Sequence, residues 1–341
     1  MHEVTPPVAR AEAGNGSDAV IRCRQLSKSY RNPWTLKTVH GLRALDLDVA
    51  RGEIFGLLGP NGAGKTTTLK LLTGLLKPTH GMAWLFGEPV TSVRSRARLG
   101  FLSEQPYFYD YLSGLEYLEL AGRLSGLGGR EASERARHWM GRVGLERPKL
   151  VLRKYSKGML QRLGLAAALV HEPELIILDE PMSGLDPFGR RDVRELILEQ
   201  RDRGATILFS SHILPDVEML CDRVAIIFGG ALQRTATIKS LIECDHAVEI
   251  RCDGVTLVEI PAAWAAHLTR RERPGGTVLA LDDGRLLDEV LPWLVRGGVR
   301  IRAVAPHRSS LEDLFLDATG QPSVEKGTIP MKEQPSEWRR A

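Results

Sequence analysis

Gly59-Pro60-Asn61-Gly62-Ala63-Gly64-Lys65-Thr66-Thr67 is the stretch that decides the fold. It fits G-x-x-x-x-G-K-[ST], with Gly59, Gly64, Lys65 and Thr66 in the fixed places. Gly62 and Gly64 allow backbone conformations closed to other residues, so successive N–H groups can face one phosphate chain. Lys65 brings a point charge for the outer phosphates, and the Thr66 hydroxyl can ligate Mg2+. Upstream, Ile54–Leu58 is a short apolar run that reads as a buried strand. Downstream, Thr66–Leu76 reads as a helix whose positive N-terminus would point at the same phosphates.

Working outward, the composition sets bounds. The 341 residues are 43% hydrophobic and 26% charged, ordinary for a globular chain with room for one large domain or a medium one plus a small one. A net charge of +4 is mild: it does not argue for a nucleic-acid partner, none is expected, and a contact with anionic lipid headgroups is compatible but not required. Cys23, Cys221, Cys244 and Cys252 form no C-x-x-C, which excludes the usual zinc and redox motifs and predicts buried, reduced thiols. No apolar stretch is long enough to cross a bilayer. Residues 1–18 lack an apolar signal core and read as a disordered leader; residues 319–341, rich in Pro, Gly, Ser, Lys and Glu, read as a disordered tail.

Along the chain, Val20–Leu26, Met82–Phe86 and Leu99–Leu102 are strand candidates, and the alternation in Leu42–Val49 predicts a half-buried antiparallel strand. Ser113 and Glu116 form a capping box that opens a helix to about Leu124. Helices are expected over Glu131–Val143, Ser156–Val170 and Gly189–Asp202. Strands are expected over Leu175–Leu178, Thr206–Phe209 and Arg223–Phe228, the last ending in a Gly229-Gly230 hairpin turn. Short apolar strands separated by helices predict a mostly parallel α/β sheet. Beyond about Thr235 the texture changes. Strands at Ala247–Arg251, Thr277–Leu281 and Val299–Val304, with helices at Arg285–Val295 and Ser309–Leu316, predict a small α+β appendage.

Two further motifs carry chemistry. The apolar strand Leu175–Leu178 runs into Asp179 and Glu180, which would put one carboxylate on Mg2+ and the other beside an attacking water. Tyr155–Arg162 opens a helix with a serine and a glycine ahead of free N–H groups, which makes either an anion site or an ordinary N-cap by Ser156.

With these motifs in this order, the chain resembles the nucleotide-binding subunit of an ABC transporter over about Val20–Thr235. The resemblance implies a P-loop NTPase of the ABC ATPase type spanning 19–240, with a helical subdomain at about 106–170, followed by a small C-terminal α+β domain at 241–318. It implies ATP and Mg2+ as cofactors. Gly59–Thr67 matches the P-loop, and Gln105 matches the Q-loop glutamine, with a catalytic and metal-binding role. Ser156, Gly158 and Gln161 match the signature that meets ATP in trans. Lys157, with Tyr155 and Met159, departs from the commonest L-S-G-G-Q form. Asp179 and Glu180 match the Walker B aspartate and the catalytic glutamate. Ser183 and Asp186 belong to the D-loop, and His212 matches the switch histidine. Tyr30 looks like the aromatic that stacks on adenine, with Trp34 as its rival. Met182 stands where the family usually has Thr.

What the resemblance implies is an ATPase subunit that powers export through a separate membrane permease. It would lie on the cytoplasmic face of the membrane and pair head-to-tail with a second copy or a paralogous ATPase. The aromatic run Tyr107, Phe108, Tyr109 and Tyr111 sits where the family docks its permease, and could equally be local core. The alternative is a soluble ABC ATPase acting on nucleic acid or ribosomes. The absence of sustained heptads between Lys65 and Ser156 and the single P-loop oppose it. A binding-only module is opposed by the intact Lys65, Asp179, Glu180 and His212.

Overall fold

The computed structural model describes residues 19–31, 37–147, 149–239, 248–253, 261, 264, 267–273 and 276–306, with Leu311 and Phe315. The leader, Trp34, Cys244, the tail and most of the helix expected at 309–316 lie outside the described residues. The chain divides into two compact units. One runs to Cys221 and takes Gly229–Leu232; the other takes Asp222–Phe228 and the residues from Gln233 on.

The first unit holds two ribbons of strands. In the antiparallel ribbon, β1 (Ala19–Arg31) lies between β2 (Thr38–Ala50) and β4 (His80–Leu85), and the short β5 (Glu88–Pro89) pairs with β4. The expected strands at Val20–Leu26 and Leu42–Val49 are thus parts of longer ones. Register shifts along β1 and positive φ at Gln25 and Ala44 bend the pair without ending it. The parallel ribbon runs β3 (Ile54–Leu58), β8 (Thr206–Ser211), β7 (Leu175–Asp179), β6 (Leu99–Leu102). All residues of β3, β7 and β8 are buried, which is why they read as unbroken apolar runs.

Helix α1 (Lys65–Leu72) follows β3 and buries Thr68, Leu69, Leu71 and Leu72. It ends before the expected Leu76 because Gly74 takes φ 73°, a left-handed stop. After the short α2 (Val93–Arg96) come α3 (Gly114–Leu124), α4 (Gly129–Arg142) and α5 (Lys157–Leu169), with α3 packed on both of the others. The capping box forms: Ser113 Oγ accepts from Glu116 N at 3.3 Å, and Glu116 Oε2 accepts from Ser113 N at 2.8 Å. Helix α6 (Pro187–Asp202) starts two residues earlier than the glycine suggested, because Asp186 caps it and Pro187 fills a first-turn position that needs no N–H. The short α7 (Leu214–Leu220) follows β8.

The second unit contains β9 (Arg223–Phe228) and most of β10 (Ala231–Thr237). It also has a four-stranded antiparallel sheet, β12 (Leu268–Arg273), β13 (Gly276–Leu281), β11 (Val248–Asp253), β14 (Arg300–Pro306). Helix α8 (Leu287–Arg296) sets Val290 and Leu294 against Ile250, Leu279 and Leu281 to form its core. Cys23, Cys221 and Cys252 are buried thiols. Burial pushes the Cys23 thiol up to about 12, so it is inert at neutral pH.

One contact in this frame sets the position of α5. A Cβ on Gly100 of β6 would stand 2.2 Å from the Ala168 carbonyl oxygen in α5. Only glycine lets the helix backbone come that close. Gly100→Ala should therefore push α5 off β6 and destabilise the protein by about 1–3 kcal/mol. The measurement is the urea midpoint at an unchanged m-value; a wild-type midpoint would refute the close approach.

Candidate active site

Strand register builds the site. Parallel pairing sets Leu58 opposite Ser211 and Asp179 opposite Ser210, so β3, β7 and β8 end side by side. The loop 59–64 leaves β3 there and turns into α1. Gly62 and Gly64 have φ of 81° and 111°, and a Cβ on Gly64 would lie 2.6 Å from the Gly41 carbonyl oxygen. Both the conformation and the space at Gly64 therefore exclude a side chain.

Lys65, 5% exposed, folds back into its own loop. Its Nζ donates to the Gly59 carbonyl at 2.7 Å and the Pro60 carbonyl at 3.4 Å, and lies 3.3 Å from Glu180 Oε1. Glu180 is itself buried and takes φ 50°, a conformation unfavourable for a residue with a Cβ. Its backbone N–H donates to Ser210 Oγ at 3.0 Å, and its Oε2 is 2.9 Å from His212 Nδ1. Lysine, glutamate and histidine thus form one chain of contacts.

Asp179 is the second centre. Its Oδ1 accepts from Thr66 Oγ1 at 3.2 Å and from Ser210 Oγ at 2.6 Å. Its Oδ2 is buried and has no hydrogen-bond partner. A buried carboxylate oxygen left over, next to a threonine hydroxyl, fits a hard cation that takes oxygen ligands. Among the described residues no cluster of three His, Cys, Asp or Glu could hold a metal by itself, so such a cation would need oxygens from a ligand.

A cavity of about 310 Å3 opens over these groups, lined by Gly41, the loop from Pro60 to Thr67, Glu104 and Glu180. Tyr30, 41% exposed, lays its ring against Gly41: a Cβ there would stand 2.6 Å from the ring. Gln105 follows β6 in an exposed segment and does not line the cavity; its neighbour Glu104 does.

The signature residues gather elsewhere. Ser156 caps α5, accepting from Met159 N at 3.2 Å. Ser156, Gly158, Gly184 and Asp186 share the lining of a separate cavity of about 400 Å3. The Lys157 side chain packs over Gly184. Asp186 accepts from Gly189 N at 2.7 Å as the cap of α6, and Ser183 N donates to the Glu180 carbonyl at 3.0 Å. Gln161 turns inward instead: it is buried, and its Nε2 donates to the Pro181 carbonyl at 3.0 Å. The aromatic run splits as well. Phe108 is core, 5.0 Å from the Tyr117 ring, while Tyr107, Tyr109 and Tyr111 are exposed.

Two residues at the site escaped the sequence reading. Ser210 bridges Asp179 and Glu180, and Gly41 floors the cavity. The doublet Ser210-Ser211 at the end of an apolar strand was the available signal for the first: a hydroxyl at a fully buried position needs a polar partner.

Residues 42–183 match the family model described as ABC transporter. The chain is 39% identical to the uncharacterized ABC transporter ATP-binding protein sll0415 of Synechocystis sp., over 92% of this chain and 88% of that one. It is 33% identical to the daunorubicin/doxorubicin resistance ATP-binding protein DrrA of Streptomyces peucetius, over 91% of this chain and 98% of that one. A solved ATP-binding subunit of an ABC transporter superposes with a TM-score of 0.58 at 33% identity, over 65% of this chain and 91% of that one. The chain belongs to the ABC transporter ATP-binding proteins. It is an ATPase subunit serving ATP-powered transport, with the α/β fold of the ABC-type P-loop NTPases. No helix among the described residues is long and apolar enough to cross a membrane.

Ser210→Ala would strip Asp179 Oδ1 of its shorter hydrogen bond and leave the buried Glu180 N–H without an acceptor. The expected loss is about 1–3 kcal/mol of stability. Thermal and urea unfolding of the nucleotide-free protein would measure it, and an unshifted transition would show that Ser210 does not bridge the two carboxylate residues.

Proposed function

We propose that this subunit drives outward transport of a small compound through a separate membrane permease, as a homodimer on the cytoplasmic face of the membrane. The observation that carries the reading is the separation of the two cavities. Lys65 and Glu180 line one, Ser156 and Asp186 line the other, and they share no residue. A site that needs all four is completed by bringing the second face of another copy over the first cavity. The resistance protein DrrA supports the outward direction. The exposed Tyr107, Tyr109 and Tyr111 offer an apolar surface for the permease.

In this reading ATP enters the cavity beside Tyr30, which stacks on the base. Its phosphates meet the N–H groups of loop 59–64 and the Lys65 ammonium. Thr66 and Asp179 would hold Mg2+, with Gln105 joining on closure; the ion supplies charge neutralisation for the phosphates. Glu180, released from Lys65, accepts a proton from water. The water oxygen bonds to the γ-phosphorus while the bond from that phosphorus to the β–γ bridging oxygen breaks, leaving ADP and phosphate. His212 holds the Glu180 carboxylate by its other oxygen, consistent with their 2.9 Å contact. Ser156, Lys157 and Gly158 of one copy would face the γ-phosphate bound by the other, flanked by Ser183 and Asp186. Gln161 supports this surface from inside. We assign the ATPase work to 19–240 and a packing or dimer-support role to 241–318.

Glu180→Gln keeps the shape and removes the base. ATP binding should persist while turnover falls roughly 10^2- to 10^4-fold, the usual worth of a positioned acid–base group. A near-wild-type rate in steady-state assays would sink the assignment.

The composite site has its own test. Lys65→Ala and Ser156→Arg each damage both sites of their own homodimer. In a mixed dimer one site inherits both defects, and the other has an intact Lys65 and an intact Ser156. Co-expression of the two variants should restore hydrolysis above either alone. Mixed dimers that form but stay inactive would exclude two independent composite sites in a homodimer.

A further inference from the structure

Behind the Glu180–His212 contact lies an ion pair that none of the motifs includes. Arg194, in the middle of α6, places Nη2 3.5 Å from Asp216 Oδ1 in the first turn of α7. The Asp216 side chain is 6% exposed and that of Arg194 is 22% exposed. Arg194 Nε and Asp216 Oδ2 are buried and make no hydrogen bond. A pair this incompletely satisfied is a poor source of stability, since apolar side chains of similar volume usually do as well or better. What it does supply is a fixed distance between α6 and α7.

That distance matters because of what the two helices carry. His212 is two residues before α7, and Asp186 caps α6. Helix α7 has no side-chain cap hydrogen bond and buries Asp216 together with Val217 and Leu220, so this pair is part of what seats it. Asp216 also lines a void of only about 10 Å3 together with Glu180, Met182, Ser183 and Ile213. In packing this close, a shift of α7 is passed on to its neighbours.

We propose that Arg194 and Asp216 are a positioning pair that holds His212 in register with Glu180, tying the switch histidine to the helix that begins at the D-loop. The proposal rests on the catalytic reading of Glu180 and His212 above.

The experiment is single-turnover ATP hydrolysis by the full chain carrying Asp216→Asn or Arg194→Gln, each made with His212 present and with His212→Ala. With His212 present, either variant should lower the rate constant roughly tenfold to a hundredfold, as small misplacements of a reacting group do, with little change in ATP affinity. Arg194→Lys, which keeps a charge opposite Asp216, should retain most of the rate. With His212→Ala the same variants should cause no further loss, because residues that act through one another are non-additive. An equal fold-loss in both backgrounds, or no loss in either, would overturn the pair's role. A wild-type rate for His212→Ala alone would instead overturn the catalytic reading beneath it, and the pair's role with it.

Discussion

A buried ammonium at the end of three aligned strands is the constraint on which the site depends. Lys65 cannot stay charged and out of water unless something compensates it. Two backbone carbonyls of its own loop and the Glu180 carboxylate do so. In the proposed reading phosphates would compete for the same ammonium, so binding a nucleotide would loosen its hold on Glu180. The loop is closed on itself by the Lys65 contacts to the Gly59 and Pro60 carbonyls.

Backbone geometry sets where this cluster forms, and a few side-chain contacts lock it. Parallel pairing fixes which residues of β3, β7 and β8 end level with one another. Gly64 admits Gly41 against the loop, and Gly100 admits α5 against β6. The strained φ of Glu180 is held from both sides, by Ser210 through its N–H and by His212 through its side chain. Strain of this kind persists only where the surroundings over-determine it, which is characteristic of reacting groups.

Much of this was legible in the chain. The phosphate loop, the Asp179-Glu180 pair and the Ser113 capping box are local patterns, each with a mechanism contained in a few residues. Their partners are also found, since strand ends in a parallel sheet collect by topology. What stayed hidden depends on long-range approach. Nothing local tells that Gln161 turns inward to Pro181 while Ser156, five positions before it, faces a cavity. Helical periodicity permits either, and packing decides. Phe108 and its neighbours Tyr107 and Tyr109 alternate between core and surface, which an aromatic count does not reveal. Strand β12 does not show in the sequence, because Thr269, Arg270 and Arg271 break the apolar run expected of a strand; the pairing with β13 overrides that composition. Helix α6 begins ahead of Gly189 because Pro187 serves as a first-turn residue, a role that its usual part as a helix breaker hides.

Identifiable groups join the two faces of the first unit. Ser156 caps α5 on the outside, and Gln161 of the same helix donates to the Pro181 carbonyl on the inside, one residue past Glu180. Ser183 ties back to the Glu180 carbonyl, and three residues on Asp186 caps α6. A displacement of the signature face relative to Glu180 must break a buried hydrogen bond or carry the Glu180-Pro181 backbone with it. Leaving a buried donor unsatisfied is the more costly course, so the backbone is expected to follow. Coupling between the Ser156 face and the carboxylate at Glu180 thus needs no extended pathway: one side chain and one turn of backbone span the distance.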